Sequence, residues 1–278
     1  MKDVLTYEQR ELRARIVFAW LFLILVYFFL THTLVSQLER PATIYPGSDN
    51  TFWLLHFLNV PQYVMSHTVP ALLFDIVLTC GCIICFIVPG QRFFTRIVVC
   101  LIWLLYVIYS SAAGKHYAQI GYLIPPVAFL AYSPERFTLL WKAVRYWICF
   151  LYVSAGFYKI YYGGFTTPAN MQHILEQMNG EWLLFKREGL QYSCIRFLLD
   201  HPQAAQVLFM LATCCDLLLL VGFFTTRYDR LLLWALVLFH CANYFLLHIS
   251  FVEQSLIFAP FLPWRKIDRS IQTNLPHD

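Results

Sequence analysis

Charge is what this sequence has least of. Only 13% of its 278 residues are charged, against about 25% in a soluble globular domain. So few ions cannot cover a water-facing surface, which excludes an ordinary soluble enzyme or binding module. The net charge of +4 is small and gathers into no basic patch, so nothing points to nucleic acid. Internal repeats, low-complexity tracts and a linker to a second domain are also missing. No small-residue cleavage site follows the first apolar run, so that run is expected to remain as a helix rather than leave as a signal peptide.

Cysteine is present, but not where a framework needs it. Eight of the nine fall inside apolar runs, and only Cys194 lies in a long loop. The spacing of Cys80, Cys82 and Cys85 does not put three sulfurs on one helix face, and no second ligand pair follows. These are small apolar packing residues, and no metal is expected.

What fills the chain is hydrocarbon: 59% of residues are hydrophobic and 18% aromatic, with a mean hydropathy of +0.59. A membrane-crossing helix needs about 20 mostly apolar residues. Clear runs are Ile16 to Val35, Val69 to Pro89, Ile97 to Ala113, Val144 to Tyr162, Ala204 to Phe224 and Leu231 to Ile249. Ile120 to Tyr132 and Phe251 to Trp264 are shorter and carry Pro125, Pro126 and Pro260, so they are expected to be short, kinked or re-entrant.

Counting both gives eight spans, and the basic residues favour that count. With the N-terminus cytoplasmic, 14 of the 20 Lys and Arg fall on inner segments and five on outer ones, leaving Lys159 inside a run. Cytoplasmic loops carry such an excess. Dropping Ile120 to Tyr132 would reverse the side of every later loop. The expected fold is therefore all-α: one polytopic helical bundle over residues 1–278, about eight spans, both termini cytoplasmic, with no separate soluble domain. Two outer loops are long, Ser36 to Thr68 and Gly163 to Pro202, the second with a short amphipathic helix at Ala169 to Gln177.

Ionisable residues inside spans are costly and usually face the bundle interior. Asp75, Lys159, Asp216, His240 and Glu253 stand out, with His116 and Asn243 as polar residues near the same outer side. For Lys159 the plain alternative is a lysine snorkelling to the outer interface. Tyr152, Ala155 and Gly156 share its face, however, and small residues let another helix approach closely. A lysine partly desolvated there loses its proton more readily and can act as a base. His240 and Asn243 lie on one helix face and equally suit interhelical hydrogen bonding. Asp75 and Asp216 suit structural pairing, and Glu253 and His116 suit solvated turns. Against those alternatives stands a common depth: His116, Lys159, Asn243 and Glu253 all map to the outer half of the membrane, as one shared cavity requires.

The segments Ala155-Gly156-Phe157-Tyr158-Lys159 and Phe239-His240-Cys241-Ala242-Asn243 resemble motifs in the membrane portion of vitamin K-dependent γ-glutamyl carboxylase, the HTTM domain. The resemblance spans roughly residues 10 to 266. It implies that Lys159 is the base that deprotonates vitamin K hydroquinone or a related quinol, with Tyr158 standing where that family has another lysine. It assigns His116 to the chemical step, although Lys115 replaces the family's asparagine before it. His240, Asn243, Tyr152 and Glu253 would border the quinone pocket, with Asp216 behind them. The implied activity is lyase chemistry: quinol epoxidation coupled to carboxylation of an acceptor. The family's propeptide-recognising lumenal domain has no counterpart after Trp264, so the acceptor stays open, a secreted or membrane peptide among the candidates.

Two other classes remain. Stand-alone HTTM proteins include non-catalytic factors for maturation of, or immunity to, a secreted peptide. A small transporter would also hold buried charges, but the paired broken helices of two matching halves are not seen. In each case the expected location is a membrane: the inner membrane of a bacterium, or the endoplasmic reticulum of a eukaryote.

Overall fold

The computed structural model describes residues 5–38, 57–112, 120–163, 165–167, 169–185, 188–264 and 267. Every regular element among them is helical, with no strand. The helices are α1 (Tyr7–Leu30), α2 (Val60–Ser66), α3 (Thr68–Ile87), α4 (Arg92–Ala112), α5 (Ile124–Phe129), α6 (Pro134–Tyr161), α7 (Ala169–Phe185), α8 (Leu190–Asp200), α9 (Pro202–Leu218), α10 (Val221–Phe224) and α11 (Asp229–Leu247). Val35–Gln37 and Glu253–Phe261 are 3₁₀ segments. His116, Lys115 and the stretch 39–56 lie outside the described residues.

Five stretches are long and apolar enough to cross a membrane: Tyr7–Gln37, Thr68–Ile87, Arg92–Ser110, Pro202–Phe224 and Asp229–Leu247. The chain is an integral membrane protein. Exposed apolar side chains along these helices, such as Leu23, Leu73, Phe86, Leu211 and Leu238, make a surface that lipid covers and water does not. Helix α6 is longer than its apolar part, because Glu135, Arg136, Lys142 and Arg145 occupy its first half. The apolar helix Ile120–Phe129 rises only about 15 Å and the 3₁₀ segment about 18 Å, against roughly 30 Å of hydrocarbon.

Local chemistry sets the boundaries. Thr6 and Gln9 form a reciprocal cap at the start of α1, which satisfies two orphan backbone donors. Pro202 opens α9, where its missing N–H costs nothing, and a single residue, His201, separates it from α8. His248, in the left-handed conformation, ends α11.

The described chain forms two compact units. The first runs to Val144 and adds Val252–Ala259. There α1 packs on α3 and α5, and α4 on α3 and α5. Val17, Phe18, Leu21, Leu25 and Phe28 form the inward stripe of α1 at helical spacing. Phe28 meets Tyr109 edge-on at 6.0 Å, and the Tyr109 hydroxyl donates to the Thr33 carbonyl. Buried Asp75 accepts the Ser36 N–H at 2.8 Å. Arg10 is buried too and donates to the Leu130 carbonyl. Glu253, only 8% exposed, belongs to this unit.

The second unit holds Arg145–Phe251 and the residues from Pro260. Its core joins Met171 and Leu175 of α7 to Ala205 of α9, with Leu198, Phe209 and Leu246 around them. Asn179 donates to the Leu246 carbonyl at 2.9 Å and ties α7 to α11. The outer loop expected to hold one short helix holds two, α7 and α8. At the other end Arg145 donates to the carbonyls of Gly222 and Thr225 and pairs with Asp229 at 2.7 Å. A cation on terminal helix carbonyls is doubly favoured, by hydrogen bonds and by the helix dipole.

Candidate functional site

Three helices of the second unit build the site. Helix α6 brings Tyr152, Gly156 and Lys159 on one face, at intervals of four and three. Helix α9 brings Phe209 and Asp216 seven residues apart, and α11 brings Phe239, His240 and Asn243.

Gly156 decides how closely α6 and α9 approach. A Cβ there would stand 2.9 Å from Leu217 Cδ2 and 3.2 Å from Asp216 Cβ, too near for any other residue without a shift. That contact brings Asp216 within reach of Lys159. Lys159 Nζ donates to Asp216 Oδ2 at 2.6 Å. The Asp216 side chain is 2% exposed and the Lys159 side chain 25%, so the ammonium is the member of the pair that an incoming molecule meets first. Asp216 is the lysine's direct partner.

Aromatic rings frame the ammonium. Nζ lies 5.2 Å from the centre of Phe239 and 6.0 Å from that of Phe209, within cation–π range. Phe239 also stands edge-on to Tyr152 at 6.3 Å. The Tyr152 hydroxyl shares a hydrogen bond of 2.5 Å with His240 Nε2, and Phe251 lies 4.6 Å from the His240 ring. Lys159–Asp216 and Tyr152–His240 are thus two polar pairs bridged by one phenylalanine. Asn243 is half-buried one turn further along α11.

Lys159, Asp216, Tyr152 and His240 therefore come together in one unit. Glu253 lies in the other unit, and His116 lies outside the described residues. The aromatic frame carried no functional signal in the sequence, although Phe239 opens one of the quoted motifs. Among the described residues no group of three or more His, Cys, Asp or Glu could hold a metal ion.

An apolar groove of about 450 Å³ lies between α8, α9 and α11. Its lining includes Ser193, Cys194, Phe197, Leu208, Ala242 and Phe245, and not Lys159, Asp216, Tyr152 or His240.

Chemically, the cluster can bind, orient and exchange protons. An ammonium held by a carboxylate accepts a proton only after it has given one up, and the nearest acceptor is Asp216. Two flat aromatic faces beside the pair suit a planar ring carrying hydroxyl groups. No protein-family model, curated protein or solved structure matches the chain.

Proposed function

We propose that this protein is a multi-pass membrane enzyme that deprotonates a lipid-soluble hydroquinone, with Lys159 as the base. The observation that carries the reading is the Lys159–Asp216 contact at 2.6 Å, with the ammonium flanked by Phe239 and Phe209. It is the residue expected to be the base from the resemblance to the HTTM domain, and it is the more exposed member of its pair.

The aromatic faces of Phe239 and Phe209 fit a quinol ring, and Lys159 and Asp216 fit its hydroxyl. Vitamin K hydroquinone or a related quinol, when bound, supplies the oxygen-reactive carbon framework for epoxidation coupled to carboxylation. The protein's own residues do the rest. Lys159 passes its proton to Asp216 and becomes a neutral amine. It then takes the hydroxyl proton, which leaves an ammonium beside a protonated carboxyl. The pair gains one positive charge as the hydroxyl oxygen gains one negative charge, so Lys159 also holds the anion it creates. Tyr152 fixes the His240 ring through the hydrogen bond to Nε2. The resemblance assigns His116 to the chemical step, and Asn243 stands one turn beyond His240 on α11. The acceptor stays open, with a secreted or membrane peptide among the candidates.

The topology belongs to the same proposal. Eight passages with both termini cytoplasmic keep the basic residues on alternate loops, provided that Ile120–Phe129, the apolar half of α6 and the segment around Glu253–Phe261 each count as a passage beside the five long apolar stretches. A tag before Tyr7 and a single-cysteine probe at Thr166, in a cysteine-free background, report the first of these. Labels on opposite sides support the passage at Ile120–Phe129; labels on the same side remove it and invert every later loop.

The chemistry is tested by quinol oxidation under oxygen with purified protein in mild detergent, which does not require the acceptor. Removing a positioned base costs about a hundredfold to ten-thousandfold in rate. Lys159→Ala is expected to lose that much while quinol binding persists, and Lys159→Arg to stay inactive because arginine does not give up its proton. Full oxidation by both variants would leave the pair as a structural tie between α6 and α9. A wild-type protein that oxidises no quinol favours a non-catalytic HTTM-like factor in peptide maturation or immunity.

A further inference from the structure

The groove between α8, α9 and α11 stands apart from the chemistry at Lys159. At about 450 Å³ it falls within the size of small-molecule sites, about 300–1,000 Å³. No charged side chain lines it; Ser193 and Cys194 are its mildest polarity, against Phe197, Leu208, Ala242 and Phe245. An unsubstituted hydrocarbon chain is the chemistry such a wall accepts.

The surroundings say where that chain comes from. Two of the three walls are candidate membrane spans, and exposed Leu211 and Leu238 continue the apolar surface along α9 and α11. The groove is therefore an indentation in the lipid-facing surface. Its third wall, α8, is an 11-residue helix too short to cross a bilayer. Side-chain amides hold it in place: Gln191 Nε2 donates to the Phe245 carbonyl at 2.5 Å, and Gln172 Nε2 of α7 donates to the Leu199 carbonyl at 2.6 Å. At one end Gln191 lies 3.3 Å from His248, whose ring meets Trp182 at 4.9 Å. A polar end with a tryptophan beside an apolar trough matches the amphiphilic profile of the membrane interface.

We propose that this groove is a lipid site that holds one acyl chain of a phospholipid, with the ester and headgroup region at Gln191, Trp182 and His248. The site does not depend on Lys159 being a base.

The test uses the full chain in phosphatidylcholine vesicles doped with a phosphatidylcholine that carries a mid-chain diazirine. After irradiation, adducts are mapped by peptide mass spectrometry. Adducts are expected at Ser193–Phe197 and Ala242–Phe245, saturating with probe and displaced by excess unlabelled phosphatidylcholine. Adducts on the lipid-facing side of α3, around Leu72–Val77, are expected not to saturate. Ala242→Trp and Ser193→Trp fill the groove from opposite walls, and either variant that keeps wild-type helicity is expected to lose the groove adducts and keep those on α3. Groove labelling that fails to saturate, or that survives both substitutions, would reduce the site to ordinary boundary lipid. Displacement by a prenyl alcohol but not by phosphatidylcholine would overturn the acyl assignment.

Discussion

Removing Lys159 and removing Asp216 should have very different consequences for stability, although both break the same 2.6 Å contact. Lys159→Ala strands a carboxylate whose side chain is 2% exposed, in a helix long and apolar enough to cross hydrocarbon. Leaving one partner of a buried pair uncompensated costs about 3–5 kcal/mol. Asp216→Asn strands a lysine whose side chain is 25% exposed and whose long stem can carry the ammonium outward. That loss is about 1 kcal/mol, the net value of one hydrogen bond. The double variant has no stranded charge, so Asp216→Asn should rescue Lys159→Ala by about 2–3 kcal/mol. At roughly 2–4 °C per kcal/mol for a chain of this size, a 3 kcal/mol rescue is about 6–12 °C in midpoint. Thermal unfolding of the four proteins in one mild detergent, followed by tryptophan fluorescence and by retention of the monodisperse peak, measures it. Equal losses from the two single changes would refute the asymmetry. A double variant no more stable than Lys159→Ala would show that Asp216 is not the residue that makes the lysine necessary.

Gly156→Val should force α6 away from α9, because even a Cβ meets Leu217 at 2.9 Å; the expected overpacking cost is about 1–3 kcal/mol, read from the same unfolding curves. Such a variant should also weaken the Lys159–Asp216 coupling in a cycle repeated on that background, and an unchanged coupling would count against Gly156 as the spacer. Arg145→Lys keeps the charge but cannot reach Gly222, Thr225 and Asp229 together, so it should approach the stability loss of Arg145→Met. A fully stable Arg145→Lys protein would mean that charge alone is enough there.

Hydropathy made the membrane helices legible because it is a local sum over about 20 residues, and in two cases the helix ends within two residues of the run. Val69 to Pro89 became Thr68–Ile87, and Leu231 to Ile249 became Asp229–Leu247. What a local sum cannot carry is which side of each helix meets which neighbour. Lys159 and Asp216 are 57 positions apart, and Tyr152 and His240 are 88 apart. Nothing within either local window names the other. The small residue at 156 signalled that some helix comes close, not that it is the one bearing Asp216. Charge carries a second meaning that a loop tally does not show. Arg10, Arg13 and Arg145 count as cytoplasmic in a loop tally, yet they are 2%, 3% and 6% exposed. Carbonyls of Leu130, Gln9 and Gly222 accept hydrogen bonds from them as water would. Arg10 and Arg145 thus fasten their helices to neighbouring segments. The same logic applies to Lys159. The apolar run around it says only that its charge is costly there, and the cost is met by Asp216.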